Sequence, residues 1–266
     1  MRKSVFLAHV KDAARQQGGT LQEYLKKTRE LGFEGLECDY PDLEQDPAGF
    51  AAMLKEADLE IASVPYFCSF EQGVDAEKLR IVVEKTAEAG GKKILAIPGF
   101  LNENYPNALE DMVRGLQILC SEAQKFGITV SLEDFDNHTS PCATGEGLRY
   151  FFQRVPALQF NLDTGNFLYM DEDVLDESRT MMDRIAHIHL KDRRNAPLHE
   201  GQQPRLSVNG RPMYDCPVGQ GDIPLEKILA MAAAAGYEGF CSAEHYGAQD
   251  QWDYMVKSAA WMKQHM

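Results

Sequence analysis

Eight short apolar runs alternate strictly with eight amphipathic segments along the 266 residues of the chain. The runs predict β-strands over 4–9, 33–39, 61–67, 93–98, 128–134, 158–163, 188–192 and 240–245. Helix-start signals recur between them, such as the capping box Thr20-Leu-Gln-Glu23 and the pair Asp46-Pro47. Strands separated by helices lie parallel in one sheet, and eight such units close into a barrel. Residues 1–266 are therefore predicted to form a single (β/α)₈ TIM barrel domain of the α/β class.

Four of the predicted strands end in a side chain that can bind a metal, and all four share one phase. Because alternate side chains of a strand share a face, Glu133, Asp163, His189 and Glu244 are predicted to lie on the inward, polar faces of strands five to eight. The C-terminal ends of these strands meet at one mouth of the barrel. Carboxylates crowded there repel one another unless a cation compensates. The pattern predicts a divalent metal site built from these four residues.

The acidic composition argues against partners that carry negative charge. The chain has 27 Lys and Arg against 41 Asp and Glu, a formal net charge of −14, and no basic run offsets this locally. Nucleic acid and membrane surfaces are therefore not expected partners. The six cysteines form no C-x-x-C pair, and no apolar run has the length of a signal peptide or a membrane span. A reducing cytoplasm is the expected location, and assembly into a homo-oligomer stays open.

The motifs around the four proposed ligands resemble those of a known superfamily. Ser-Leu-Glu133-Asp-Phe, Asn-Leu-Asp163-Thr-Gly-Asn, His-Ile-His189-Leu-Lys-Asp and Ser-Ala-Glu244-His look like the ligand motifs of xylose isomerase-like TIM barrels. Within that superfamily, the whole chain resembles the sugar phosphate isomerase/epimerase group, which includes ketose 3-epimerases and inosose dehydratase. A Gly-Gln-Gly turn at 219–221 also fits that group. The ketose 3-epimerases place a histidine three residues after the aspartate ligand, where this chain has Asn166.

The resemblance implies a metal-dependent isomerase or epimerase that acts on a small ketose, a polyol ketone or a sugar phosphate. One divalent ion, Mn²⁺, Mg²⁺ or Co²⁺ with Zn²⁺ as a further option, would polarise the substrate carbonyl. The glutamate pair of the ketose 3-epimerases maps onto Glu133 and Glu244 as catalytic residues, one removing a proton beside the carbonyl and the other returning one to the opposite face. With a leaving hydroxyl β to the carbonyl, the same first step gives dehydration, as in an inosose dehydratase (a lyase).

Five further residues are candidates for contacts with a small-molecule sugar substrate. Lys191 shares the face of His189 and lies one step nearer the mouth, and Asn166 can hydrogen-bond a hydroxyl. Glu37 ends strand two with an inward phase, and Arg193 and Arg194 can clamp a carboxylate or phosphate as bidentate donors. The polar segment 193–221 is predicted to be irregular and to close over the mouth.

Two alternatives to a sugar enzyme follow from the same fold. An apurinic endonuclease-type nuclease shares this barrel but builds a three-zinc cluster with additional histidines at the ends of strands three and four and after the aspartate. Here those strands end in Pro65-Tyr66-Phe67 and Pro98-Gly99-Phe100, and Asn166 follows the aspartate, so the nuclease is a remote alternative. The other alternative is a metal-binding barrel that has lost catalysis, which only an activity screen over sugars separates from an enzyme.

Overall fold

The computed structural model describes residues 1–266 and has a closed barrel of eight parallel strands at its centre. Around the barrel the strand order is β1-β11-β7-β6-β5-β4-β3-β2, so strands five to eight of the predicted series are neighbours, as expected. The (β/α)₈ prediction is confirmed. The barrel strands are β1 (Arg2–Phe6), β2 (Gly35–Glu37), β3 (Glu60–Phe67), β4 (Lys93–Ile97), β5 (Thr129–Glu133), β6 (Gln159–Asp163), β7 (Ile185–Lys191) and β11 (Phe240–Glu244).

Ten α-helices surround the barrel, and their N-termini follow the capping signals in the sequence. The Thr20 hydroxyl accepts a hydrogen bond from the Glu23 amide, and Asp46 accepts one from the Gly49 amide. The helices are α1 (Leu7–Gln17), α2 (Leu21–Glu30), α3 (Tyr40–Leu43), α4 (Pro47–Glu56), α5 (Ala76–Glu88), α6 (Ala108–Gln124), α7 (Gly145–Arg154), α8 (Val174–Met181), α9 (Leu225–Ala234) and α10 (Gln251–His265).

The first predicted strand is too long, because a helix begins inside it. Strand β1 ends at Phe6, and α1 starts at Leu7. The buried residues of α1 include Leu7, Val10 and Ala14, a helical spacing that overlaps the apolar run of the strand. His9 therefore lies in the first turns of α1 rather than on a strand, and its Nε2 accepts a hydrogen bond from the His245 amide.

The apolar core lies between the strands and the helices, and the inside of the barrel is polar. Outward residues such as Leu132, Leu162 and Ile188 belong to one buried cluster of 60 apolar residues. Inward residues on the same strands, including Ser131, Asn161 and His187, are equally buried but polar. The two-residue period of each strand thus separates the packing face from the face that carries chemistry.

The segment 193–221, predicted to be irregular, contains a small antiparallel sheet in the order β8-β10-β9. Its strands are β8 (Arg193–Arg194), β9 (Arg205–Leu206) and β10 (Pro212–Asp215). The buried carboxylate of Asp192 anchors the end of the segment by accepting hydrogen bonds from the Gly219 and Gly221 amides at 2.9 and 2.8 Å. Gly219 has a φ of +83°, and a Cβ on Gly221 would lie 2.0 Å from Asp192, which explains the Gly-Gln-Gly turn.

No helix of the protein combines the length and the apolar character that crossing a bilayer requires.

Candidate metal centre and active site

A cavity of about 590 Å³ opens at the C-terminal end of the barrel and has two unlike sides. One side is apolar and is formed at the ends of β3 and β4 and in the loop after β5 by Pro65, Phe67, Leu95, Ile97 and Phe135. The other side, called the charged side below, carries charged residues from β5, β7 and β11 together with the aromatic rings of Phe6 and Tyr246. The cavity therefore offers both apolar and charged contacts to a bound molecule.

The four predicted ligands come together on the charged side, although they lie on four different strands. The Nδ1 atom of His189 lies 3.1 Å from Glu133 Oε2, 3.2 Å from Glu244 Oε2 and 3.8 Å from Asp163 Oδ2. All four side chains are buried. Parallel pairing of β6 with β7 sets Asp163 directly beside His189, and the common strand phase turns all four side chains inward.

The donor atoms of this cluster suit a divalent ion. Ligand atoms of Glu133, Asp163 and His189 all lie within 4.8 Å of one another, and Glu244 reaches the same imidazole nitrogen. Asp163 Oδ2 and His189 Nδ1 are buried and contact only the charged groups of the cluster itself, with Lys191 Nζ 2.8 Å from Asp163 Oδ2 and Glu133 Oε2 3.1 Å from His189 Nδ1. Three carboxylates with one imidazole form an oxygen-rich set of the kind that Mg²⁺, Mn²⁺ or Co²⁺ accepts. The residues therefore fit a bound divalent cation.

Two charged side chains in the cluster have strongly shifted pKa values. Burial raises the pKa of Glu133 to about 7, and the neighbouring His189 only partly offsets this. Burial would also raise the pKa of Asp163, but the ammonium group of Lys191 and the His189 ring outweigh it and hold that pKa well below its usual value. Burial and the neighbouring charges thus shift the pKa values of these two carboxyl groups in opposite directions.

Lys191 lies inside the cluster rather than at its rim. Its Nζ is 2.8 Å from Asp163 Oδ2, 2.6 Å from Glu244 Oε1 and donates a 2.7 Å hydrogen bond to Asn166 Oδ1. Burial opposes its charge, but the Asp163 and Glu244 carboxylates hold the pKa of Lys191 above its usual value. Lys191 and Asn166 both line the cavity, so a substrate contact from either remains a prediction that the geometry allows.

The turn after Asp163 is fixed by a second aspartate that the sequence analysis did not single out. Asp134 Oδ1 accepts the Asp163 amide at 2.9 Å, and the Asp134 carbonyl accepts the Asn166 side-chain amide at 2.8 Å. Asp163 Oδ1 in turn accepts the Gly165 and Asn166 amides. One Asp163 oxygen therefore holds the turn, and Oδ2 faces the cluster, where it contacts Lys191. The adjacency of Asp134 to Glu133 was the only sequence signal for this role.

Two of the predicted substrate residues do not face the cavity. Glu37 is almost completely buried beneath it, where its Oε1 lies 2.8 Å from His189 Nε2 and also contacts His187 Nε2. Arg194 points away, and its guanidinium donates to the carbonyls of Ala196 and Gln220. Their substrate contacts stay predictions: an inward phase does not fix depth in the barrel, so Glu37 lies below the cavity, and β8 turns Arg194 outward.

Arginines in the cavity wall are already paired with aspartates. Arg193 contacts Asp215 on β10, and Arg205 on β9 lies 2.9 Å from Asp136 in the loop after β5. Arg193 lines the cavity as predicted, but it does not present an unpaired clamp for a phosphate or carboxylate. Asp39 lines the cavity too and makes no side-chain hydrogen bond to the helix α3 that it precedes.

Comparison with known proteins places the chain in a family. The family model described as "Xylose isomerase-like TIM barrel" matches residues 25–265. An inosose dehydratase of Erwinia tasmaniensis is 27% identical over 275 residues, covering 92% of this chain and 90% of that protein. An inosose dehydratase of Clostridium perfringens is 30% identical over 110 residues, and this match spans 38% of the chain but only 36% of that relative.

Solved structures share the fold over nearly their whole length. A probable 3-DHS dehydratase from Bacillus anthracis has a TM-score of 0.76 at 17% identity and covers 99% of both chains. A D-allulose 3-epimerase from Methylomonas sp. has a TM-score of 0.75 at 16% identity, covering 100% of this chain and 98% of the other. The closed eight-stranded barrel and the match over 25–265 together show that the chain belongs to the xylose isomerase-like TIM barrel family.

Proposed function

We propose that the protein is a divalent-metal-dependent enzyme that removes a proton beside the carbonyl of an uncharged polyhydroxylated ketone and then eliminates water. The observation that carries the proposal is the cluster of Glu133, Asp163, His189 and Glu244 at the mouth of the barrel, with Glu133 and Lys191 lining the same cavity. Glu133, Asp163, His189 and Glu244 would hold the cation. When bound, the cation supplies Lewis acidity that makes the hydrogen next to a carbonyl easier to remove.

Two side chains have roles in the elimination: Glu133 is the base, and Lys191 is a hydrogen-bond donor. Glu133 has one oxygen, Oε2, beside His189, and no ion pair or hydrogen bond occupies Oε1, so that oxygen can accept the proton from the carbon. The ammonium group of Lys191 has three partners, Asp163, Glu244 and Asn166, and can donate a hydrogen bond to the departing hydroxyl in place of its bond to Asn166. The proton taken by Glu133 leaves with that hydroxyl as water, a carbon–carbon double bond remains, and the enzyme is unchanged.

The position of Glu244 favours elimination over epimerisation. Epimerisation needs a second base on the opposite face of the substrate, and Glu244 is the residue that the family resemblance offers for it. Its Oε2 faces the metal cluster, and its Oε1 lies 2.6 Å from the Lys191 ammonium, so both oxygens are engaged. The full-length similarity to an inosose dehydratase also supports dehydration.

Epimerisation is the second candidate, because Glu133 and Glu244 both line the cavity and reach it from different strands. A shift of Lys191 on substrate binding would free Glu244 Oε1 as a second base. An apurinic endonuclease-type activity is not proposed, since β3 and β4 supply Phe67 and Ile97 to the mouth where that type supplies histidines.

The products separate the two candidates. We expect the Mn²⁺-loaded protein, offered inososes and ketoses in deuterated water, to form a product lighter than its substrate by one water. Mass spectrometry of the product is the measurement. A product of unchanged composition with one solvent deuterium at the carbon beside the carbonyl would establish epimerisation instead. If neither product forms with any ketone while nucleic acid is cut, the nuclease alternative returns.

An uncharged substrate is expected because each basic side chain in the wall already has an acidic partner. Arg193 contacts Asp215, Arg205 pairs with Asp136, and Lys191 pairs with Asp163 and Glu244. An added phosphate would meet these carboxylates with no free cation from the chain, and such like-charge contacts cost several kcal/mol. We therefore expect kcat/KM for a neutral ketone to exceed that for its phosphate ester by about 10²-fold, measured by steady-state kinetics on matched pairs. A phosphate ester that is turned over faster than the neutral compound would contradict this.

A further inference from the structure

Below the metal cluster, a chain of buried polar contacts runs from His189 into the barrel. Glu37 Oε1 lies 2.8 Å from His189 Nε2 and contacts His187 Nε2, and His187 Nε2 lies 3.0 Å from the Ser242 hydroxyl. Ser242 is in turn 2.6 Å from the Ser4 hydroxyl. We call Glu37 and His187 the supporting pair. Neither residue lines the cavity.

The two nitrogens of the His189 ring face opposite partners. Nδ1 faces the carboxylates of Glu133 and Glu244 at 3.1 and 3.2 Å, and Nε2 faces Glu37 alone. A neutral imidazole carries its proton on one nitrogen and its lone pair on the other. A carboxylate at Nε2 keeps the proton there, so that Nδ1 offers its lone pair to the cluster. Partners of this kind orient a ligating histidine and increase its basicity.

The pairing of the barrel strands is irregular beside both residues of the supporting pair. The parallel register between β2 and β3 shifts between Leu36 and Glu37, and the register between β6 and β7 shifts between Phe160 and Asn161, whose partner on β7 is His187. The other barrel pairs have regular registers. Bulges next to functional sites re-aim side chains. Both irregularities of the barrel therefore occur beside Glu37 and His187.

We propose that Glu37, held in place by His187, is a positioning residue for the metal: it fixes the His189 ring with Nδ1 toward the ion and adds a negative charge behind it. This inference rests on the proposed function, because it needs a metal at the cluster. Glu37 acts only through His189 and is not a catalytic residue.

Glu37, His187 and His189 could also be considered a second ion site, because their donor atoms lie within 4.8 Å of one another. Both Nε2 atoms already face a single carboxylate oxygen, Glu37 Oε1, at hydrogen-bond distance, while Glu37 Oε2 and His187 Nδ1 have no partner. The supporting pair therefore predicts one metal per chain, and a second ion bound here would overturn the proposal.

The test is metal binding by the full-length Glu37→Gln variant, which keeps the shape of the side chain and removes its charge. Chelator-stripped protein is titrated with Mn²⁺ in a calorimeter, and the Kd and the stoichiometry are compared with those of the wild type. We expect one Mn²⁺ per chain in both proteins and a Kd that is about 10–100-fold higher in the variant. The visible spectrum of the Co²⁺-loaded variant should also differ from the wild-type spectrum.

A matched control and a second variant separate positioning from a structural role. Glu34→Gln removes the same charge near the opposite end of the barrel, where Glu34 pairs with Arg2, and should bind Mn²⁺ with wild-type Kd. His187→Gln keeps a donor for Glu37 and should show a smaller loss of affinity, which decides the question if Glu37→Gln does not fold.

Three further outcomes would overturn the inference. A Glu37→Gln protein with wild-type Kd and a lowered melting temperature of the metal-free form would show that Glu37 is only structural, and the proposed function would survive. An equal loss of Mn²⁺ affinity in Glu34→Gln would show that the loss in Glu37→Gln comes only from the change in the net charge of the protein. A wild-type protein that binds no Mn²⁺, Mg²⁺ or Co²⁺ would overturn the proposed function as well.

Discussion

Replacement of Glu133 by glutamine is expected to lower turnover by about 10²–10⁴-fold, the usual contribution of a positioned general base. The amide cannot accept the proton from the substrate carbon, although it keeps the size of the side chain. The measurement is kcat on the best ketone of the product screen, with metal content determined on the same sample.

Metal content matters because Glu133 is both the proposed base and a proposed ligand. A variant that loses its metal reports only on binding, whereas one that keeps the metal and loses turnover reports on proton transfer. The Glu177→Gln variant, altered at an ion pair with Arg149 between α7 and α8, is the matched control and should keep wild-type turnover. A Glu133→Gln protein that retains both its metal and its full rate would refute the role of Glu133 as the base.

The companion change Glu244→Gln tests the number of glutamates that the reaction needs. Under epimerisation both glutamates transfer protons, so each change should abolish turnover. Under elimination Glu244 acts as a ligand and a partner of Lys191, so its replacement should lower activity mainly through metal affinity. A Glu244→Gln variant that keeps its metal and full activity would rule out the two-glutamate mechanism.

The sequence predicted the cluster well because two simple regularities decide it. Strand residues alternate between faces, and parallel strands in a closed barrel end at the same mouth. These two rules alone predict that Glu133, Asp163, His189 and Glu244 meet at one mouth, although the four residues lie on strands five to eight. The capping signals at Thr20 and Asp46 were equally local, and the structure confirms them.

Features that depend on depth or on distant partners could not be predicted in the same way. Glu37 has the inward phase, but the stagger of the strands places it beneath His189 rather than in the cavity. Arg193 on β8 pairs with Asp215 on β10. The two residues are far apart in the sequence, and the strands of the small sheet have only two to four residues. Those strands are too short to show a hydrophobic period, so neither the sheet nor the pairing left a signal in the sequence.

Addition of Mn²⁺ to chelator-treated protein is expected to raise its melting temperature by about 10 °C when the free ion is at about 1,000 times its Kd. An ion that binds only the folded state adds about 4 kcal/mol at that concentration, and each kcal/mol corresponds to roughly 2–4 °C for a chain of this size. The physical source is the cluster itself, in which three buried carboxylates face one ammonium group, Lys191, and the imidazole of His189. Differential scanning fluorimetry across a Mn²⁺ series measures the shift.

The Asp163→Asn variant shows whether the ion acts at this cluster. Asp163 Oδ1 accepts the amides of Gly165 and Asn166, and the side-chain oxygen of asparagine can keep those hydrogen bonds while the ligand charge is lost. Lys191 loses its contact with the Asp163 carboxylate but keeps Glu244 at 2.6 Å, so the metal-free variant should fold with lower stability. Mn²⁺ should move its melting temperature far less than that of the wild type. An equal shift in both proteins would mean that the ion binds elsewhere, and no shift in the wild type would contradict the metal assignment.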